Sequence, residues 1–268
     1  MWPPEPFGAT VMVGGVSSYI EDLCELFNIS QPSNITWAHA VDSMAELKEL
    51  ADAMFYESDA GALSADNRVI MCHYPSQTTS DLYLDHLLSQ AEERNVGVKI
   101  DIKLERLVKP IGYTVAAARP EIPVWFNADV FGPKKKMPLK ALADVATEDT
   151  VLSLGFIGNT FGEKERYDII TQLKDSGLLS SLDEITCRHI TFAFSARLAL
   201  TCTSELVKLL EGVPGSSLTL WTGVGDPRGL SKLDILKLRH ALPMKRVFLD
   251  IKTQTWLGWF TSWMIEWA

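Results

Sequence analysis

Short apolar runs alternate along the chain with longer stretches of helical periodicity. Most of the runs are continuously apolar, which is typical of strands that are buried on both faces of a parallel sheet. The predicted strands are Ile35–His39, Met54–Asp59, Val69–His73, Val96–Ile102, Pro123–Asp129, Thr150–Gly155, His189–Phe194, Ser217–Thr222 and Arg246–Ile251. The predicted helices are Met44–Asp52, Asp81–Arg94, Lys140–Asp144, Arg166–Asp175, Thr203–Glu211 and Leu230–His240.

This pattern predicts an α/β fold, a (β/α)8 TIM barrel with one extra strand, because such barrels typically take about 250 residues. Val69–His73 is the predicted extra hairpin strand, since the preceding turn, Ser64–Arg68, is too short to hold a crossover helix. A doubly wound open sheet is the alternative fold, but no glycine fingerprint follows the first strand. The barrel is expected over residues 33–252, after an N-terminal extension with a lead-in helix over 1–32.

A polar cluster and a single serine are placed where helix N-caps occur. Thr79, Ser80 and Asp81 precede one predicted helix, and Ser231 lies at the start of the helix before the last strand. Short polar side chains accept hydrogen bonds from the first backbone amides of a helix. We therefore expect the cluster and Ser231 each to supply an N-cap.

Composition narrows the class of protein. The chain is 47% hydrophobic with a net charge of −9, so an acid excess disfavours nucleic-acid binding. No apolar run approaches the roughly 18 residues that a membrane-spanning helix needs. The start of the chain lacks the basic and apolar blocks of a secretory signal, and four widely spaced cysteines show no metal-type spacing. We therefore expect reduced thiols and a cytoplasmic protein, with secretion less favoured.

Four tryptophans lie in the C-terminal stretch 253–268, a predicted helix or tail. Trp256, Trp259, Trp263 and Trp267 recur every three or four residues and form one stripe of an amphipathic helix. The stripe fits the last helix covering the barrel, or a peripheral membrane contact, since tryptophan favours the membrane boundary. The absence of Lys or Arg after Lys252 favours the first interpretation.

Polar residues collect at the C-terminal ends of the predicted strands, where functional residues of such barrels lie. Glu57 and Asp59 share one face of their strand, as do Lys99, Asp101 and Lys103 on the next. Three carboxylates with water suit a hard ion, Mg²⁺ or Ca²⁺. The alternative is a structural salt bridge from Glu57 to one of the two lysines.

Two histidines lie at strand ends, His39 and His73. Beside a carboxylate triad, a histidine pair supplies the general acid and the nucleophile or base that phosphoryl transfer needs. His189 instead opens a strand, at the end of the barrel that serves stability.

Six stretches, in order, carry a resemblance to a known family. The chain resembles the menorin family, whose barrel is of the phospholipase C-like type and is similar to glycerophosphodiester phosphodiesterases and spider-venom sphingomyelinase D. The stretches are Ile35–Ala40, Glu57–Asp59, Gly97–Lys103, Pro123–Asp129, Leu152–Gly155 and Ser217–Gly223.

The resemblance implies a metal-dependent phosphodiesterase-like protein that acts on a lysophospholipid or related phosphodiester. It implies catalytic His39 and His73, the metal ligands Glu57, Asp59 and Asp101, and the substrate-binding residues Lys103 and Trp221. Asn127, which has no assigned counterpart but lies in a motif typical of menorins, is a further candidate for substrate binding.

One departure separates the chain from the glycerophosphodiesterases. Those enzymes follow their first histidine with arginine and glycine, whereas Ala40 and Val41 follow His39 here. The missing arginine weakens the case for glycerophosphodiesters, although the sphingomyelinase-like pattern lacks it too. The alternative function is a catalytically inactive barrel that binds a partner; the family resemblance would allow a role in maintaining neurons or sensory cells.

Overall fold

The computed structural model describes residues 18–50, 53–223 and 229–251. The strands within these ranges are β1 (Trp37–Ala38), β2 (Phe55–Leu63), β3 (Val69–Met71), β4 (Gly97–Ile102), β5 (Val124–Phe131), β6 (Val151–Phe156), β7 (His189–Ser195), β8 (Ser217–Trp221) and β9 (Val247–Asp250). The helices are α1 (Ser18–Leu26), α2 (Met44–Glu49), α3 (Leu84–Glu93), α4 (Val108–Ala118), α5 (Leu139–Ala143), α6 (Glu163–Ser176), α7 (Ala196–Ala199), α8 (Thr203–Gly212) and α9 (Lys232–Ala241).

Eight of the strands form a nearly closed parallel barrel. Their order is β1-β2-β4-β5-β6-β7-β8-β9, and every neighbouring pair in it is parallel. The extra strand β3 pairs with β2 in the antiparallel sense, with Leu63 opposite Val69. The predicted (β/α)8 barrel with a hairpin strand after strand two is therefore confirmed.

The continuous apolar strands are buried on both faces, as their composition predicts. Every residue of β6 is buried, and its outward side chains pack in a layer that the helices cover. Since helices cover the outside, most of the polar residues of the strands point into the barrel, where strands from opposite sides bring them together.

Helix α1 closes the N-terminal end of the barrel. Tyr19 on this helix accepts a 2.5 Å hydrogen bond from Trp125 Nε1 and stacks on the His189 ring. Phe55 of β2 and Phe248 of β9 pack against Trp125 across the barrel interior. This aromatic layer closes one end of the barrel, and the buried His189 at that end is hydrogen-bonded to Ser217 at 2.8 Å.

Of the two predicted helix N-caps, one is confirmed and one is wrong. Ser231 caps α9 as predicted, accepting a hydrogen bond from the Asp234 amide at 3.1 Å. The prediction that Thr79, Ser80 and Asp81 cap the next helix is wrong, because α3 begins only at Leu84, with Tyr83 as its cap residue. Asp81 instead accepts from the Met44 amide at 2.9 Å, which ties this loop to the start of α2.

Helix α4 is absent from the sequence-based prediction. It runs through Pro110 and Gly112, two residues that weaken a helical pattern. Pro110 lies in the first turn, where its missing amide breaks no intrahelical hydrogen bond.

The four cysteines are free thiols, as predicted, and Cys72, Cys187 and Cys202 are buried. Over the described ranges, no helix has the length and apolar character needed to cross a bilayer. The predicted tryptophan stripe lies outside the described residues.

The buried His189 makes the free energy of unfolding depend on pH. Burial, with smaller contributions from Arg246 and Arg188, lowers its pKa to about 3. The unfolded chain binds a proton near pH 6.5, which the folded protein binds only near pH 3, so stability falls as pH falls through that window. We expect urea unfolding to show a loss of about 2 kcal/mol from this residue between pH 7 and pH 5.

The comparison that isolates this contribution is His189→Gln, with the exposed His86→Gln as control. The His189 variant should lose less stability than the wild type between the two pH values, whereas the His86 variant should follow the wild type. Equal losses in all three proteins would contradict the assignment.

Candidate active site at the barrel mouth

The ladder register brings the predicted residues of three strands side by side. Glu57 lies opposite Lys99, and Asp59 lies opposite Asp101. Asp101 in turn lies opposite Asn127 on β5. Because these positions share the inward face, their side chains form a polar layer at the C-terminal mouth.

The turn after β1 places His39 over this layer. Ala40 adopts a left-handed conformation with φ of 53°, an uncommon state for a residue with a Cβ. The turn lets the Val41 amide donate to the Glu57 carbonyl at 3.0 Å. The strand end is thereby fixed to β2 on either side of His39.

Four side chains form a closed ring of alternating charge. His39 contacts Glu57 through Nδ1 and Asp250 through Nε2, the latter at 2.8 Å. Lys99 completes the ring, with Nζ 3.0 Å from Glu57 Oε1 and 3.7 Å from Asp250 Oδ2. Two ring nitrogens facing two carboxylates require both nitrogens to donate, so the imidazole is held as a cation.

The electrostatics of the ring agree with this geometry. Burial acts to lower the pKa of His39, but Asp250 and Glu57 outweigh it and raise the value to about 10. Burial likewise acts to raise the pKa of Glu57, while Lys99 and His39 hold it well below its ordinary range. Lys99 is only 3% exposed, yet the surrounding carboxylates keep its pKa above normal.

A second network surrounds Asp59. Its Oδ2 contacts His73 Nδ1 at 2.5 Å, and its Oδ1 contacts Lys103 Nζ at 2.9 Å. Lys103 also contacts Asp101 at 2.5 Å, so one ammonium bridges two carboxylates. Burial and the neighbouring Asp101 raise the pKa of Asp59, and Lys103 opposes that shift.

Asn127 is held by groups of the barrel interior. Its Nδ2 donates to Asp101 at 2.9 Å, and its Oδ1 accepts from Ser153 Oγ at 2.7 Å. Both ends of the amide are engaged, so in this arrangement Asn127 positions Asp101. Trp221 lies at the end of β8, opposite Asp250 in the ladder.

Two site residues were missed at the sequence level. Asp250 lies at a strand end but has no neighbour in sequence that marks it as a partner of His39. Asp42 directly precedes Ser43, the cap of α2. From the sequence it therefore looks like an ordinary polar residue at the start of a helix. In the fold, Asp42 accepts hydrogen bonds from the Asp59 amide at 2.8 Å and from Ser58 Oγ at 3.2 Å.

The charge balance bears on the predicted metal ligands. Five carboxylates at the mouth face two lysines, which leaves the site negative even with one histidine protonated; they are Asp42, Glu57, Asp59, Asp101 and Asp250. Oxygen donors and excess negative charge fit a hard divalent ion. An ion held by Glu57, Asp59 and Asp101 would replace the lysine contacts that these groups make in the structure.

The chain matches the sequence profile of one known protein family. The sequence profile of the Menorin N-terminal domain matches residues 31–256. The chain belongs to the menorin family. It is 30% identical over 260 residues to Protein FAM151B of Homo sapiens, an alignment that covers 89% of this chain and 92% of that protein.

A structural comparison gives a more distant likeness for this menorin-family protein. It aligns with the crystal structure of the Paramecium bursaria Chlorella virus arginine decarboxylase bound to agmatine, at 11% identity and a TM-score of 0.34. The match covers 88% of this chain and 62% of the decarboxylase chain.

The buried lysine should be essential to the stability of the mouth. Lys99→Met would leave Glu57 and Asp250 to share the charge of His39, and removing one partner of a buried ion pair costs about 3–5 kcal/mol. Lys136→Met is the matched control, because Lys136 pairs with Asp129 on the surface at 3.0 Å. Exposed pairs contribute about 0–1 kcal/mol.

Denaturant unfolding of both variants at pH 7 measures the difference. If the Lys99 variant is no less stable than the Lys136 variant, the ion ring does not have the structural role assigned to it.

Proposed function

We propose that this menorin-family protein is a metal-dependent phosphodiesterase that acts on a lysophospholipid or related phosphodiester. The supporting observation is that Glu57 and Asp59, two positions apart on β2, each contact one histidine. Two imidazoles in different electrostatic environments therefore contact neighbouring carboxylates of the same strand face. This is the pairing that phosphoryl transfer by an acid and a base requires.

The two histidines suit different roles. His73 is half-exposed, with Nδ1 on Asp59, and its Nε2 has no partner among the described residues. A carboxylate on Nδ1 orients the ring and supports a base or nucleophile at Nε2. His39 is held as a cation between Glu57 and Asp250, and an ion that drew Glu57 away would free its Nδ1–H to protonate the leaving oxygen.

The ion of this proposal is Mg²⁺ or Ca²⁺, held by Glu57, Asp59 and Asp101. A bound divalent ion polarises phosphoryl oxygens and neutralises developing charge. Lys103 would then be released from two carboxylates and would bind a phosphate oxygen instead. Asn127 would keep Asp101 oriented, and Trp221 would contact the substrate at the edge of the mouth.

A panel of lysophospholipids and glycerophosphodiesters, each with Mg²⁺ or Ca²⁺, tests the activity. We expect product release by the wild type and a loss of about 10²–10⁴-fold in His39→Ala and His73→Ala, the usual range for general acid–base catalysis. His86→Ala, a change at an exposed histidine of α3, should leave turnover unchanged. No product with either ion, or unchanged turnover in His39→Ala, would refute the proposal.

A second candidate function is a non-catalytic barrel that binds a partner. The observation that favours it is that each predicted metal ligand already contacts a lysine, Glu57 through Lys99 and the two aspartates through Lys103. In this candidate function the carboxylate–lysine contacts would stabilise the fold and would not bind an ion. The partner would belong to a role in maintaining neurons or sensory cells.

Calorimetric titration with Mg²⁺ and Ca²⁺ separates the two candidates. Binding that is abolished by Asp59→Asn supports the enzyme, whereas no binding at millimolar ion supports the partner-binding barrel. Asp129→Asn, which changes a carboxylate at the edge of the mouth, serves as the control.

A further inference from the structure

A cluster of metal-ligating side chains lies beside the predicted ion site. One ligand atom from each of Asp42, Asp59 and His73 lies within 4.8 Å of the other two. Ligand bonds to Mn²⁺ or Zn²⁺ are about 2.0–2.2 Å long, so ligand atoms across one ion lie about 4 Å apart. His73 Nδ1 and Asp59 Oδ2 are 2.5 Å apart, so an ion between them requires this pair to separate while the Asp42 carboxylate stays within reach.

Asp42 carries the strongest indication of a ligand. The residue is only 7% exposed, and both hydrogen bonds to its carboxyl group end on Oδ1. Its Oδ2 accepts none from any residue in the described part of the chain.

A polar groove opens onto Asp42, the one member of the cluster that lines it. Its volume is about 550 Å³, and it lies between the stretch from Asp42 to Glu46 and the loop from Ser76 to Asp81. Hydroxyl and carboxyl groups line it, so hydrated ions have a path to Asp42, and water can complete the coordination of an ion held there.

We propose that Asp42, Asp59 and His73 form a second ion site, for a transition metal such as Mn²⁺ or Zn²⁺. One imidazole nitrogen and two carboxylates favour such ions over Mg²⁺ and Ca²⁺, which prefer oxygen alone. The ion takes the place of the proton between His73 Nδ1 and Asp59, and it keeps the ring in the same orientation with Nε2 open. The site shares Asp59 with the proposed function but does not depend on the activity.

A similar trio at the mouth is a weaker site. Atoms of His39, Glu57 and Asp250 also lie within 4.8 Å of one another. Lys99, however, contacts both carboxylates and already supplies their cation. In the proposed trio Lys103 contacts Asp59 only, and no lysine among the described residues contacts Asp42, which is why the second ion is assigned to the Asp42 side of the mouth.

Titration of the full chain with Mn²⁺, followed by electron paramagnetic resonance, tests the proposal. Asp42→Asn keeps the Oδ1 acceptor for Asp59 N and Ser58 and removes only the charge. It should weaken one Mn²⁺ site at least about 100-fold, since even residues that only orient a ligand cost 10–100-fold in metal affinity. Asp81→Asn, a carboxylate of the same groove, should bind Mn²⁺ as the wild type does.

Pulsed resonance adds a readout that does not depend on affinity. Manganese in this site should show coupling to an imidazole nitrogen, and the coupling should vanish in His73→Gln. Retention of full affinity in Asp42→Asn, or the absence of nitrogen coupling in the wild type, would overturn the proposal.

Asp101→Asn distinguishes this proposal from the proposed function. A loss of Mg²⁺ binding in Asp101→Asn with retained, nitrogen-coupled Mn²⁺ supports two separate sites. If Asp101→Asn leaves Mg²⁺ binding unchanged while Asp42→Asn abolishes Mn²⁺ binding, the second ion site stands and the predicted triad fails. If only Asp101→Asn affects Mn²⁺, the second ion site is wrong and the triad stands.

Discussion

The mouth of the barrel depends on one buried cation. Lys99 lies between Glu57 and Asp250, and without it these two carboxylates would share the single positive charge of His39. Burying a charge is costly unless it is paired, and here each charge of the ring contacts two of opposite sign. The same ring joins the end of β1 to the end of β9, where the described residues show no ladder between the two strands.

This ring also fixes what the histidines can do. His39 is locked between two carboxylates, while His73 has one carboxylate and an exposed edge. The aromatic layer around Trp125 and Tyr19 closes the opposite end of the barrel, so the charged groups meet solvent only at the mouth. The two histidines therefore occupy different electrostatic environments, and the proposed acid and base roles rest on that difference.

The strands could be predicted because their chemistry is local. Continuous apolar runs such as Val151–Phe156 need no knowledge of the rest of the chain, and neither does the Ser231 cap. The partners in the site could not be predicted in the same way. Asp250 and Asp42 take their meaning from His39 and Asp59, which only the closure of the barrel brings near. Helix α4 was missed because its Pro110 and Gly112 contradict local propensity while tertiary packing stabilises the helix.

The protonation state of His39 tests the central claim most directly. Nitrogen-15 NMR of the imidazole, assigned with His39→Gln, reports whether both ring nitrogens carry protons. Because the carboxylates raise the pKa to about 10, His39 should remain a doubly protonated cation at pH 8 and lose its proton only near pH 10. A His39 that titrates near pH 6.5, with one bare nitrogen at pH 8, would contradict the ion ring and the roles derived from it.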